Sequence, residues 1–221
     1  MVVALVEGEE CSMGRYTGPR CHLCRYLNEK LMLKGERCSS PKCPIEKKNA
    51  SSRGRFQGRA PKISDRGLQL RAKQKVRFSY GMLERQFRKF FAEATRANGN
   101  TGENFHVLLE RRLDNVVYRL GFGDSRSQAR QITNHSHILV NGKKVNIPSF
   151  LVKSGDVITW CPSSKKTELY KTVAEKVKAK AIAGWLSLDE EKMEGAVLAL
   201  PAEGDFEAKY DMASIIEYYS R

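Results

Sequence analysis

Cys21 and Cys24 are separated by two residues, thirteen more pass, and Cys38 and Cys43 follow with four between them. Two close cysteine pairs joined by a short loop can bring four thiolates into a tetrahedron, the closed arrangement of structural zinc. An iron–sulfur cluster also accepts four thiolates, so it stands as the alternative metal group. A full cysteine set leaves no ligand position for water and argues against catalytic zinc. Cys11 and Cys161 have no partner at ligand spacing, and His22, inside the first pair, is expected to be exposed. Lys30, Lys34, Arg37 and Lys42 decorate the intervening loop, so a metal here would brace a basic knob.

The second chemistry is cationic. Arg126 and Arg130 stand at i and i+4, one helical turn apart, a spacing at which two planar guanidinium forks can straddle a phosphate backbone. Lys143 and Lys144 follow Asn141-Gly142, and residues 44 to 67 carry Lys47, Lys48, Arg53, Arg55, Arg59, Lys62 and Arg66 among Ser, Gly and Pro. That stretch has too little apolar surface to fold alone, and it reads as an arm that orders on phosphate. No Ser/His/Asp set, paired carboxylates or Gly-rich phosphate loop stands out, and His135 and His137 are placed to hydrogen-bond more than to catalyse.

The elements that must position these groups are legible from period and punctuation. Leu113, Val116, Val117 and Leu120 fall at i, i+3, i+4 and i+7, one apolar helix face with Arg112, Asp114 and Arg119 outside it. Gly121 ends that helix. Ser125 with Gln128 three residues on is a capping box for the next, which carries the two arginines opposite Ala129 and Ile132. The period then becomes that of a strand: Ile138-Leu139-Val140, an Asn-Gly turn, the two lysines, and later Val157-Ile158-Thr159. Upstream, a helix is expected from Leu68 to Tyr80. Leu83, Phe87, Phe90, Phe91 and Ala94 form a core-facing stripe, and Thr101 caps a helix through Leu109. Downstream, residues 169 to 183 read as a basic helix, and Trp185, Ile215 and Ile216 as apolar anchors in an acidic tail that docks on the helices of residues 68 to 110.

The 221 residues carry a formal charge of +14, unevenly placed. Residues 1 to 12 hold three acidic and no basic groups and residues 181 to 221 nine acidic against three basic, which leaves +23 on residues 13 to 180. A field of that size points to a polyanion and to salt-sensitive affinity. A membrane partner is not expected, because no apolar run approaches the roughly 18 residues of a span. The start Val2 to Val6 is too short for a signal-peptide core, which places the chain in the cytoplasm, where thiols are reduced and metal ligation outweighs disulfides.

Residues 111 to 160 resemble the S-four-type RNA-binding module, and Met13 to Arg221 resemble the bacterial uS-four family of small-subunit ribosomal proteins, in the form whose N-terminus bears four cysteines around a Lys34-Gly35-Glu36-Arg37 segment. The chain departs at Ser136, where the family usually has glycine. Carried over by position, Arg112, Asp114, Ser125, Arg126, Gln128, Arg130, His137, Asn141, Gly142 and Lys143 match the motif, which implies RNA-binding roles for Arg112, Ser125, Arg126, Gln128, Arg130, His137, Asn141 and Lys143; Lys144, the second hairpin lysine, is expected beside them on its charge. The arm residues Lys47, Lys48, Arg53, Arg55 and Arg59 join them, and Cys21, Cys24, Cys38 and Cys43 hold one zinc. It implies an α+β chain, a mainly helical domain with an inserted small α+β module and an N-terminal four-cysteine knob. The expected parts are a disordered lead over 1–12, knob and arm start over 13–53, arm and helices over 54–110, the module over 111–178, and a docking segment over 179–221. Met13 is an alternative start. The function implied is structural and non-enzymatic: direct binding of small-subunit ribosomal RNA, nucleation of subunit assembly, and a contact with the uS-five protein that affects accuracy. Some of its basic residues would lie near the messenger RNA entry channel, and no small-molecule substrate is implied. The alternative is an RNA-modifying enzyme, such as a pseudouridine synthase, carrying the same module; it needs a catalytic domain for which few residues remain.

Overall fold

The computed structural model describes residues 16–51, 63–177, 182–202, 205 and 210–220. From the N-terminus, α1 (Arg20–Leu27), α2 (Glu36–Ser39) and α3 (Pro44–Ser51) make the cysteine-bearing end, followed by the helical body α4 (Asp65–Tyr80), α5 (Glu84–Arg96) and α6 (Thr101–Glu110). Then come α7 (Leu113–Arg119), α8 (Arg126–Asn134), β1 (Ile138–Val140), β2 (Lys143–Lys144), β3 (Val157–Trp160), a 3-10 turn (Ser164–Lys166), α9 (Glu168–Val177), β4 (Leu186–Asp189), β5 (Glu194–Val197) and α10 (Met212–Ser220). The expected lead over 1–12 and the arm residues 52–62 lie outside the described residues.

The inserted module forms where its patterning places it. Leu113, Val116, Val117 and Leu120 are fully buried and share a core with Ala129, Ile132, Ile138, Ile158 and Trp160. Gly121 takes φ +82, with Phe122 N–H returning to the Val117 carbonyl, a glycine-closed helix end. Ser125 caps α8 by accepting from Gln128 N–H at 3.3 Å. Asn141 and Gly142 take φ +50 and +76, the paired positive values that a two-residue hairpin turn demands. Ser136 takes φ +60, a left-handed geometry for which glycine is the unstrained choice.

The sheet has five antiparallel strands in the order β2-β1-β3-β5-β4. Its last two strands correct the expectation that the whole C-terminal segment docks on the helices. Val157 pairs with Ala196 and Thr159 with Glu194, and Trp185, Leu186, Met193 and Val197 enter the module's core. Only the last stretch behaves as expected from the tail: Tyr210 and Ile215 complete the core of α4 to α6, where Phe87, Phe90, Ala94, Phe105 and Leu109 are buried. Phe91 sits 4.6 Å from the Tyr219 ring and 5.7 Å from Phe105, so these phenylalanines are packing groups. A polar seam fixes α10 on the same body: buried Lys73 pairs with Glu84 at 2.7 Å, Tyr219 Oη donates to Glu84 at 2.9 Å, and Gln69 donates to Glu217 at 2.7 Å.

Three smaller differences have local causes. Asn100, not Thr101, caps α6, because its Oδ1 reaches Gly102 N–H at 2.9 Å. The helix expected over 169 to 183 runs as Glu168–Val177, residues 178–181 lie outside the described residues, and Ile182 and Ala183 are not helical because they pack against the module's core on the way into β4. The arm begins with the helix α3, because Ile45 buries itself in a third core with Leu23, Leu27, Leu31 and Phe78. That core seats the knob on α4. The knob also touches the module: Gly35, at φ +58, lies so close to the start of α8 that a Cβ there would sit 2.6 Å from the Asp124 carbonyl oxygen. Lys176 of α9 closes the joint, pairing with Glu36 at 2.7 Å and Asp124 at 3.1 Å.

Candidate nucleic-acid interface

The polar side of α7 was expected to face outward, and it does not. Arg112 is fully buried, its Nε and Nη2 donating to the Asp114 carboxylate at 3.1 and 2.9 Å. This corrects the expected RNA role of Arg112: a guanidinium at zero exposure cannot meet a phosphate in this fold. Asp114 accepts a second fork, Arg130 Nη1 at 2.8 Å. One turn away, Glu110 of α6 is also fully buried and accepts from Arg119 Nε and Nη2 at 2.9 and 2.8 Å, from Asn115 Nδ2 at 2.7 Å and from Tyr80 Oη. Asn115 Oδ1 accepts Arg126 Nε at 2.8 Å, and the Arg126 guanidinium lies between the rings of Tyr80 and Tyr118, 4.6 and 4.8 Å from their centroids.

This lock has a definite charge logic. Burial pushes the Glu110 carboxyl toward its neutral form, but the hydrogen bonds and charge of Arg119, aided by Arg126, outweigh it and hold the group below the usual carboxylate range. Burial and the nearby Glu110 charge push the Tyr80 phenol well up, so it stays a donor. Two carboxylates thereby anchor Arg112, Arg119 and Arg130, and the Asn115 amide oxygen anchors Arg126. The two on α8, Arg126 and Arg130, are half-buried and line one cleft with Arg20, Met32, Leu33 and Tyr80. Burial first, then Arg130's like charge, lowers the pKa of Arg20, so the cleft gathers positive charge from the knob and the module.

The other expected residues separate into two groups. Ser125 and Gln128 use their polar atoms at the helix start, the Gln128 Oε1 accepting Asp124 N–H at 2.8 Å. Asn141 ties the hairpin to β3, donating to Asp156 at 2.8 Å and accepting Val157 N–H at 2.9 Å. Lys143 and Lys144 are exposed, and among the described residues neither has a carboxylate partner. His137 is half-buried with Nδ1 2.7 Å from Ser164 Oγ, and burial, then the charges of His135 and Lys144, lower its pKa. Lys47 is exposed on α3, whereas the Lys48 side chain and Arg53, Arg55 and Arg59 fall outside what the structure describes.

The four cysteines do come together, since Cys21, Cys24, Cys38 and Cys43 line one small cavity with Lys30, Lys34, Arg37 and Ile45. Cys24, Cys38 and Cys43 are buried, and Lys34 N–H donates to Cys38 Sγ at 3.3 Å. Among the described residues, no group of three or more His, Cys, Asp or Glu stands close enough to hold a metal ion. The donor chemistry nevertheless suits a thiophilic cation: burial, then mutual repulsion among the thiolates, raises the Cys24 thiol, an opposition that a divalent charge removes. His22, expected to be exposed, is half-buried.

Sequence reading missed Glu110, Tyr80, Asn115 and Tyr118, the residues that hold the arginine helix. Tyr80 is thirty positions from Glu110 and on another element, so no period connects them. A glutamate ending an apolar helix was the one available signal.

Comparison with known proteins bears on the same two regions. A family model described as ribosomal protein S4/S9 N-terminal domain matches residues 15–110, and one described as S4 domain matches residues 111–158. A protein of Dehalococcoides mccartyi named small ribosomal subunit protein uS4 is 54% identical over 209 residues, 95% of this chain and 100% of that protein. Proteins of the same name from Syntrophomonas wolfei and Heliobacterium modesticaldum are 49% and 51% identical over the same shares.

Proposed function

The chain belongs to the uS4 family of small ribosomal subunit proteins, and from that premise we infer what its parts do: it is a structural component of the small subunit that binds ribosomal RNA directly, and it is not an enzyme. The observation that carries the assignment of surface is the pairing of a locked arginine helix with an exposed lysine hairpin. Arg126 and Arg130 are pinned from inside by Asn115 and Asp114, which fixes the orientation of their guanidinium planes toward the cleft. Lys143 and Lys144 supply charge that the protein itself does not neutralise. A rigid arginine pair beside lysines suits RNA phosphates, with the lock positioning and the lysines attracting.

The finer roles follow from the family. The protein nucleates small-subunit assembly, meets the uS-five protein in a contact that affects accuracy, and places basic residues near the messenger RNA entry channel. Cys21, Cys24, Cys38 and Cys43 hold one structural zinc, supported by their shared cavity and by donor chemistry that a divalent charge would relieve. Zinc would close the knob and so keep Arg20 and Gly35 where they meet the module. The alternative, an RNA-modifying enzyme, is disfavoured because the alignment to ribosomal relatives takes up 95% of the chain.

Sedimentation of lysate at low and moderate salt tests the function. The protein is expected to comigrate with small subunits at both; its release as a soluble protein at moderate salt would overturn the reading. Metal content of the purified protein tests the zinc, with one equivalent expected; equal retention after any two of the four cysteines become serine would remove it.

A further inference from the structure

The outward face of the module's sheet is electrically graded from edge to edge. The register places Lys144 opposite Leu139, Leu139 opposite Thr159, Thr159 opposite Glu194 and Glu194 opposite Asp189, one row across all five strands. Side chains directly opposite across antiparallel strands share a face, so this row is basic at β2 and acidic at β4. The core lies behind it, formed by Ile138, Ile158, Trp160 and Val197.

The basic end extends beyond the strands. Cys161 N–H donates to the His137 carbonyl at 2.8 Å, which sets the segment after β3 beside the start of β1. The chain then enters the 3-10 turn, whose buried Ser164 holds the His137 ring through its Oγ at 2.7 Å. Lys165 and Lys166 are exposed on that turn. His135 lies 6.0 Å from His137, ring to ring, and Lys144 is near enough to act on both His137 and Cys161. Among the described residues, none of Lys143, Lys144, Lys165 and Lys166 has a carboxylate partner. Lysines on neighbouring elements do: Lys171 pairs with Glu168, Lys176 with Glu36 and Asp124, and Lys192 with Asp189.

We propose that the turn Ser164–Lys166 is a phosphate-contacting RNA site, continuous with His137 and Lys144 and separate from the arginine helix α8. The site reads backbone charge more than bases, because lysines offer point charge and no fork. Asp189 and Glu194 bound the RNA path at the far edge by repulsion. An acidic protein neighbour is the competing occupant; continuity with the hairpin lysines favours RNA.

The proposal rests on the ribosomal-RNA reading, and one experiment separates the two. Full-length protein is titrated with small-subunit ribosomal RNA over a range of salt, comparing wild type with K165A/K166A and with K171A/K192A, which removes equal charge from lysines already paired. If both turn lysines meet phosphates, the slope of log affinity against log salt falls by about 1.4 to 1.8 in K165A/K166A, and affinity near 0.15 M salt falls about 15- to 30-fold. The control is expected to lose far less, with unfolding temperature unchanged in both. A K165A/K166A slope equal to that of wild type or of the control overturns the proposal. Unchanged RNA affinity with poor incorporation into subunits overturns it too, and assigns the turn to an acidic protein. A wild type that shows no salt-dependent RNA binding overturns the ribosomal-RNA reading itself.

Discussion

Two cationic regions sit within the same module, and the protein treats them oppositely. Around α7 and α8, Arg112, Arg119, Arg126 and Arg130 are drawn inward onto Glu110, Asp114 and Asn115, with Tyr80 and Tyr118 against one guanidinium. Along β2 and the 3-10 turn, lysines stand in solvent with no carboxylate partner among the described residues. The difference follows from the side chains. A guanidinium offers five donors in a rigid fork and can satisfy a buried carboxylate while still presenting an edge outward, whereas a strongly hydrated ammonium gains little from burial. Arginine here orients the interface and lysine charges it. Mutations of the buried carboxylates in the first region should act through folding, those of Arg126 and Arg130 through folding and RNA affinity together, and mutations in the second region through RNA affinity alone.

The largest effect that can break this division comes from the C-terminal segment, which serves both bodies. Removing residues 210–221 strips Tyr210, Ile215 and Tyr219 from the helical core, a loss on the order of 5 kcal/mol for several buried side chains. Removing residues 182–221 also takes β4, β5, Trp185 and Val197 from the module, and should unfold α7 and α8 with the sheet. Circular dichroism and RNA titration of the two truncations test this. Tighter RNA binding with unaltered thermal stability in the longer truncation, which sheds net negative charge, would show the segment to be only an acidic appendage.

Next in size is the lock. Glu110→Ala leaves Arg119, Asn115 and Tyr80 without their shared acceptor in a buried site, a change expected to cost about 3–5 kcal/mol in denaturant unfolding. Lys144→Ala, fully on the lysine side, should stay within about 0.5 kcal/mol of wild type. The pH dependence has the same origin. Glu110's folded pKa lies below its ordinary 4.5, so its contribution is complete above that value and is lost as pH falls through the lower folded value. In E110Q, which keeps an acceptor but no charge, stability should vary less with pH over this acidic window. A slope identical to wild type would move the acid sensitivity to another carboxylate.

Much of this was legible in the sequence because it is local. The Ser125 cap, the Gly121 helix end, the Asn141-Gly142 turn and the apolar stripe of α7 each rest on residues within one turn or one hairpin. What escaped depends on partners brought together by packing. The polar face of α7 reads as solvent-facing until α6 and Tyr80 cover it. Leu186 to Asp189 is too short a run to declare itself a strand until Glu194 to Val197 pairs with it. The cysteine spacing predicts a four-thiolate metal site; the four cysteines line one cavity, no group among the described residues stands close enough to hold a metal ion, and nothing in the spacing says that Gly35 would press on the start of α8.

The smallest predicted effect lies where the two regions meet, at His137. Its ring is held by Ser164, and burial with the charges of His135 and Lys144 keeps its pKa below the ordinary 6.5, so at neutral pH it adds no charge to the lysine end. Acidification works in two directions. For the isolated protein, a depressed histidine pKa means that the unfolded state takes up the proton more readily, so this contribution to stability is full above 6.5 and declines as pH falls below it. RNA reverses the sign, since a phosphate near the ring favours the imidazolium and affinity should rise modestly, by a few-fold, over the same interval. His137→Gln should abolish both trends while leaving the lysine salt slope intact, as measured by RNA titration and thermal unfolding between pH 5.5 and 7.5, conditions chosen to bracket the ordinary value. If affinity in H137Q still rises on acidification, the proton is taken up elsewhere. If stability alone changes and affinity does not, His137 belongs with the arginine lock as a packing group, and the boundary between the two regions runs between it and Lys144.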